Sequence, residues 1–198
     1  MQFSLRLLFL LLLANISVLA VDWPWGQASI NLPDRVGSKS TVYQAVEALL
    51  HDAIQEDPKT DKNYAFIEYW PGSTLENLCN GGGHARLVVG NFLKGSRKEF
   101  RGHAFDLIYD KDPENYKKAE GVHQSWGKGD VELALKKKNT YRVIPPSRIT
   151  QDIPTRQLLD RVRKAISSAQ TYFEKYPDYD YVRNNCGHYV NFLATVIA

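Results

Sequence analysis

The cysteine nearest the carboxyl end of the chain, Cys186, has a setting that suits nucleophilic chemistry. It follows Asn184 and Asn185 and stands where the last apolar segment with helical spacing begins. Free backbone N–H groups at a helix start, together with the positive end of the helix dipole, favour a thiolate at that position. The same N–H groups can hold the oxyanion of a tetrahedral intermediate. Cys186 is therefore predicted to be the nucleophile of an acyl-transfer or hydrolytic reaction.

A cysteine nucleophile needs a base, and the chain contains five histidines. Two of them, His103 and His123, flank a turn centred on Pro113 and Glu114, which places residue 124 opposite His103 in a hairpin. The two imidazoles are then expected to be neighbours on one face of the sheet. Such a pair can supply a base and the group that orients it.

His84 is the alternative base. A turn at Gly95 and Ser96 places the apolar Leu107 near the position opposite His84, and this estimate favours His103. The sequence leaves the choice between His84 and His103 open.

The second cysteine, Cys79, provides a competing interpretation of Cys186. An even number of cysteines in an oxidising compartment is typical of a disulfide, and Cys79 precedes the strand predicted from His84. A Cys79–Cys186 bridge would make the protein a secreted, non-catalytic binding or effector protein. The state of the Cys186 thiol separates this hypothesis from the enzymatic one.

The order of predicted helices and strands around Cys186 and the histidines indicates an α+β fold, with an antiparallel β-meander packed against helices. Apolar residues at helical spacing predict a helix from Ser40 or Thr41 to about Gln55. Strands are expected over 64–70, 84–92, 103–109, a return ending near 122–123, 131–136 and 140–144. Helices are expected from Asp152–Pro154 through Phe173 and from Cys186 to about Ile197.

The closing motif Asn-Asn-Cys-Gly-His-Tyr-Val-Asn-Phe-Leu, residues 184–193, resembles the Asn-Cys-Glu-His-Phe-Val signature of the lecithin–retinol acyltransferase (LRAT)-like proteins. These are circularly permuted NlpC/P60 thiol enzymes with a papain-like fold, in which the histidines come first and the cysteine helix last. The stretch 101–109, returning to 121–123, is similar to the histidine hairpin of that family. The resemblance spans roughly residues 83–197 and implies Cys186 as nucleophile, His103 as base and His123 as third member. Gly187 and Tyr189 stand where the family has Glu and Phe.

The amino terminus predicts export. One positive charge at Arg6, the apolar run of residues 7–13 and small residues ending at Ala20 are the marks of a signal peptide. Removing residues 1–20 leaves 178 of the 198 residues and lowers the net charge from +3 to +2. The predicted organisation is a signal peptide (1–20), an irregular segment (21–39) and a single domain (40–198). The expected location is extracellular or in the secretory-pathway lumen, with no transmembrane segment after the signal.

Weak net charge and the lack of a basic stretch interleaved with aromatics exclude a nucleic-acid partner. No CxxC or HExxH pattern is present, so neither a metal nor a cofactor is expected. The predicted function is a secreted cysteine-dependent acyltransferase or hydrolase that acts on an ester or amide, either a lipid acyl group or a peptide amide, through a thioester. A cell-wall amidase or peptidase that uses the same residues is a further option. The sequence carries no signal for an oligomeric state.

Overall fold

The computed structural model describes residues 29–30, 40–71, 83–95, 98–109, 119–167 and 186–198, and these form an α+β fold with one five-stranded antiparallel sheet and four helices. The helices are α1 (Thr41–Ile54), α2 (Lys128–Lys137), α3 (Thr155–Ser167) and α4 (Cys186–Ile197). The strands are β1 (Asn63–Trp70), β2 (His84–Phe92), β3 (Phe100–Tyr109), β4 (Ala119–Trp126) and β5 (Thr140–Ile144). A 3₁₀ turn (Pro146–Arg148) follows β5.

The strands lie in the order β4-β3-β2-β1-β5, so the first four form a meander and β5 adds to β1 at the opposite edge. Every neighbouring pair is antiparallel. Trp70 pairs directly with His84, and Leu87 pairs with Phe105. The central strands β2 and β3 are therefore flanked on both sides, and β1 joins the meander to β5.

Two hydrophobic layers cover the two faces of the sheet, as the alternation of side chains along a strand requires. Leu87 and Val89 of β2 pack into the layer built with α3 and α4, whereas Val88 packs into the layer built with α1 and α2. Along α4, Tyr189, Val190 and Leu193 are buried and hold the helix against the sheet; the rest of the helix also buries Cys186, Ala194 and Ile197.

Gly121 allows a close approach between β4 and α4. A Cβ atom built on Gly121 would lie 2.2 Å from the hydroxyl of Tyr189 and 2.8 Å from Cγ2 of Ile166. A larger residue at position 121 would push α3 or α4 away from the sheet. The position of α4 matters because the helix begins at Cys186.

Most of the predicted elements are confirmed. The first helix, the strands at 64–70, 84–92, 103–109 and 140–144, and the last helix all occur within a few residues of their expected limits. The return strand is β4, which continues to Trp126. The helix from Pro154 is confirmed as far as Ser167, and its predicted extension through Phe173 lies outside the described residues.

The strand predicted over 131–136 is wrong, because this segment lies in helix α2. The carboxylate of Asp130 accepts a hydrogen bond from the backbone N–H of Gly127 and so caps the helix start. Val131 and Ala134 are buried three residues apart, and Lys136 and Lys137 lie in the last turn, where the helix dipole favours cations. Helical caps at both ends therefore outweigh the short apolar alternation that suggested a strand.

Besides the helix extension through Phe173, three further sequence predictions fall on residues that the structure does not describe. These are the signal peptide (1–20), the irregular segment apart from residues 29–30, and Cys79.

Candidate functional site

Cys186 is the first residue of α4, as the sequence predicted. Its side chain is 1% exposed and its thiol is free. The helix dipole and the first backbone N–H groups of α4 therefore act directly on the sulfur. Its proposed disulfide partner, Cys79, lies outside the described residues.

The histidine that contacts this thiol is His84, the first residue of β2. Its imidazole hydrogen-bonds Cys186, and its Nε2 lies 2.7 Å from Oδ1 of Asp106 on β3. His84 thus lies between the carboxylate of Asp106 and the thiol of Cys186. The order Asp106–His84–Cys186 matches the arrangement in which an acid orients an imidazole and the imidazole activates a nucleophile.

Asp106 is held in place by its own backbone surroundings. Its carboxylate is almost buried, and the same Oδ1 accepts a hydrogen bond of 2.7 Å from the backbone N–H of Leu107. This contact fixes the side-chain rotamer and adds a donor to the oxygen that faces His84. Asp106 is thus set to hold one orientation of the imidazole.

The charge state of His84 follows from these two partners. Burial alone would lower the pKa of His84, but hydrogen bonds to Asp106 and Cys186 and the negative charges of both groups outweigh it. Together they raise the pKa of His84 from 6.5 to about 10. The protonated imidazole is therefore the form of His84 that prevails at neutral pH.

Tyr69, on β1, is the third polar group close to the sulfur. Burial raises the pKa of Tyr69 and the charge of Cys186 raises it further, while the Arg142 guanidinium acts in the opposite direction. That guanidinium lies 5.5 Å from the centre of the Tyr69 ring. Tyr69 consequently keeps its proton at neutral pH and can act as a hydrogen-bond donor near Cys186.

His103 and His123 are neighbours on one sheet face, as the hairpin pattern predicted. Their ring nitrogens contact each other. Nδ1 of His103 lies 3.1 Å from Nε2 of His123. The ring planes differ by 16° and the centroids are 5.2 Å apart, so the two rings are nearly parallel. His103 pairs with Ser125, one residue from the expected position, and His123 pairs with Phe105.

The surroundings of these two histidines differ from those of His84. Burial lowers the pKa of His103, and the positive charges of His123, Arg163 and Arg101 lower it further. Burial and Arg163 lower the pKa of His123 in the same way. Among the described residues it is His84 that hydrogen-bonds Cys186, so the catalytic roles expected of His103 and His123 stay predictions without a supporting contact.

Two residues of this site, Asp106 and Tyr69, were not singled out from the sequence. The signal for Asp106 was its position on the strand next to His84, at a spacing that puts both side chains on one face. The turn estimate placed Leu107 opposite His84, whereas the observed pairing of Leu87 with Phe105 carries His84 to Ile108 and makes Asp106 its diagonal neighbour.

Among the described residues, no group of three or more His, Cys, Asp or Glu side chains is arranged so that it could hold a metal ion. No helix in this part of the chain is long and apolar enough to span a bilayer. Comparisons with protein-family models, with curated proteins and with solved structures found no match to this chain.

Proposed function

We propose that this protein is a cysteine-dependent acyltransferase or hydrolase in which Cys186 is the nucleophile, His84 the base and Asp106 the group that orients the base. The observation that carries the proposal is the continuous contact from Asp106 through His84 to a free thiol at the start of α4. His84 takes the role that the family resemblance suggested for His103, because His84 is the histidine in contact with the sulfur.

The first half of the reaction forms a thioester. His84 holds the proton that leaves Cys186, and the thiolate attacks the carbonyl carbon of an ester or amide. A C–S bond forms while the carbonyl electrons move onto oxygen. The backbone N–H groups at the start of α4 and the protonated Tyr69 hydroxyl are the donors available for this oxyanion. Collapse of the intermediate breaks the bond to the alcohol or amine, which receives the proton from His84.

The second half of the reaction transfers the acyl group. Water or another acceptor approaches the thioester, and His84 removes its proton as it attacks the carbonyl carbon. The new tetrahedral intermediate expels the Cys186 thiolate and releases the acid or the acylated acceptor. Asp106 stabilises the imidazolium in both halves because its carboxylate stays hydrogen-bonded to Nε2.

The exposure of the three side chains indicates the direction from which a substrate arrives. Cys186 is buried, Asp106 is 11% exposed in its side chain, and His84 is 30% exposed. The acyl carbon must therefore reach the sulfur from the His84 side. There it meets the base and the first turn of α4 together.

The finer fold assignment is part of the same proposal. A sheet followed by a closing helix that begins with the nucleophile is consistent with a circularly permuted papain-like arrangement, and the 184–193 motif resembles that of the LRAT-like proteins. We place the protein outside the cytoplasm on the strength of residues 1–20. An oxidising compartment makes a free, activated thiol a more demanding state to maintain.

The test is turnover by the mature protein of a panel of lipid esters, aryl esters and peptide amides. We expect hydrolysis or transfer of at least one class, with an acyl group trapped on Cys186 and detected by mass spectrometry. Cys186→Ala should abolish turnover, and His84→Gln should lower it by about 10²- to 10⁴-fold. Turnover that survives both substitutions would refute the proposal. A peptide joining Cys79 to Cys186 would instead support the non-catalytic binding protein.

A further inference from the structure

The indole of Trp70 packs against the imidazole of His84. Trp70, the last residue of β1, pairs directly with His84 across the two strands. The ring centroids are 5.1 Å apart at an interplanar angle of 47°. The carbonyl of Trp70 also accepts a 2.7 Å hydrogen bond from the N–H of Gly83, which fixes the chain immediately before His84.

The indole of Trp70 is in turn held by Arg86. The guanidinium carbon of Arg86 lies 4.6 Å from the centre of the Trp70 ring, within the range of a cation–π contact. Arg86 follows His84 by two residues on β2, so both side chains project from the same face of the strand. Trp70 therefore contacts the base and a second, permanently charged group.

The guanidinium of Arg86 is fixed by hydrogen bonds from two of its nitrogens. Its Nε donates to Oε2 of Glu68 at 2.7 Å and its Nη2 donates to Oδ1 of Asp130 at 2.7 Å. Arg86 is 3% exposed and Glu68 is fully buried. A buried arginine that donates to two separate carboxylates has little freedom to move.

The carboxylate of Glu68 is saturated with donors from three further elements of the fold. Trp126 donates to Oε2 at 3.2 Å, and Asn139 and Tyr141 donate to Oε1 at 2.8 and 2.9 Å. A buried carboxylate with all its acceptor sites used is a rigid anchor. The chain of contacts from Glu68 through Arg86 to Trp70 thus connects the interior of one sheet face with the edge where His84 lies.

We propose that Trp70 is a positioning residue for His84, held by the Glu68–Arg86–Asp130 cluster, and that it keeps the imidazole directed at both Asp106 and Cys186. The inference rests on the proposed function, because positioning matters only if His84 activates the thiol. Strand position alone would leave the imidazole free to rotate about its side-chain bonds. The indole restricts that rotation, and its π face also stabilises the protonated ring.

The experiment measures the rate at which iodoacetamide alkylates Cys186, as a function of pH, in four forms of the full mature chain. They are the wild type, Trp70→Phe, which keeps a π face, Trp70→Leu, which keeps apolar bulk without a π face, and His84→Gln. The alkylation rate needs no knowledge of the substrate. Folding of each variant is checked by near-UV circular dichroism and thermal unfolding.

We expect Trp70→Phe to react within about twofold of the wild type, and Trp70→Leu to react about 3- to 10-fold more slowly at neutral pH. The midpoint of the alkaline titration of His84, followed by NMR, should fall in Trp70→Leu and stay near the wild-type value in Trp70→Phe. A merely structural role for Trp70 would change the melting temperature without moving this midpoint.

The two proposals fail differently. If His84→Gln slows alkylation while Trp70→Leu matches Trp70→Phe in rate and in His84 titration, the positioning role is refuted and the proposed function stands. If wild-type Cys186 reacts no faster than a simple thiol and His84→Gln changes nothing, the proposed function itself is refuted. If Trp70→Leu fails to fold, Trp70→Met takes its place as the variant with apolar bulk and no π face. The proposal then requires slower alkylation and a lower His84 midpoint in Trp70→Met than in Trp70→Phe, and equal values refute it.

Discussion

Nε2 of His84 lies 2.7 Å from Oδ1 of Asp106, and this contact determines which histidine can serve Cys186. His84 also hydrogen-bonds Cys186, so the imidazole connects the acid with the thiol. The two residues come from adjacent strands in the middle of the meander, where neither strand is at an edge. The pairing of β2 with β3 therefore fixes the positions of His84 and Asp106 relative to each other.

Replacing Asp106 with Asn should lower turnover by about 10²-fold or more while the protein stays folded. The amide keeps the shape of the carboxylate but removes the charge that stabilises the imidazolium and favours the wrong tautomer. The measurement is kcat on whichever ester or amide the wild type turns over, with thermal unfolding as the folding control. An Asp106→Asn variant with wild-type kcat would show that His84 needs no acid to orient it.

The raised pKa of His84 predicts a loss of stability at alkaline pH. The folded pKa of about 10 is above the unfolded value of 6.5, so the folded state binds the extra proton more tightly. The stabilisation is complete below pH 6.5 and is lost as the pH rises through about 10. Urea unfolding of the wild type from pH 7 to 10 should show a decline in the free energy of unfolding that is smaller in His84→Gln. Parallel declines in the two proteins would contradict the assigned pKa.

The His103–His123 pair predicts the opposite sign in acid. Both folded pKa values are below 6.5, so the unfolded chain takes up more protons as the pH falls. The pair's contribution to stability is present above pH 6.5 and is lost on acidification. The free energy of unfolding should fall between pH 7 and 5 in the wild type, and less steeply in the His103→Gln/His123→Gln double variant. Equal acid slopes in the two proteins would contradict the lowered pKa values of the two imidazoles.

The sequence was sufficient for those parts of the fold that rest on local signals. Cys186 was expected at a helix start because polar asparagines precede a stripe of apolar residues, and α4 begins at that residue. His103 and His123 were expected to be neighbours because a hairpin constrains its own register. In these cases the determining information lies within about twenty residues along the chain.

Contacts that depend on register across longer loops could not be obtained in this way. An error of one residue in the β2–β3 pairing put Leu107 instead of Ile108 opposite His84, and a shift of one residue turns every side chain to the other face. Because of that error, Asp106 was not recognised as a neighbour of His84. The misassigned segment 131–136 has a different origin, since its short apolar alternation was given more weight than the local capping contact between Asp130 and Gly127.

The most direct measurement is alkylation of Cys186 by iodoacetamide in the mature, unreduced protein near neutral pH, read by peptide mass spectrometry. The matched variants are His84→Gln and His103→Gln, which remove one imidazole each. The proposed site predicts rapid labelling of wild-type Cys186, a decrease of about 10-fold or more in His84→Gln, and a wild-type rate in His103→Gln. Labelling that slows in His103→Gln and persists in His84→Gln, or a Cys186 found bridged to Cys79, would contradict it.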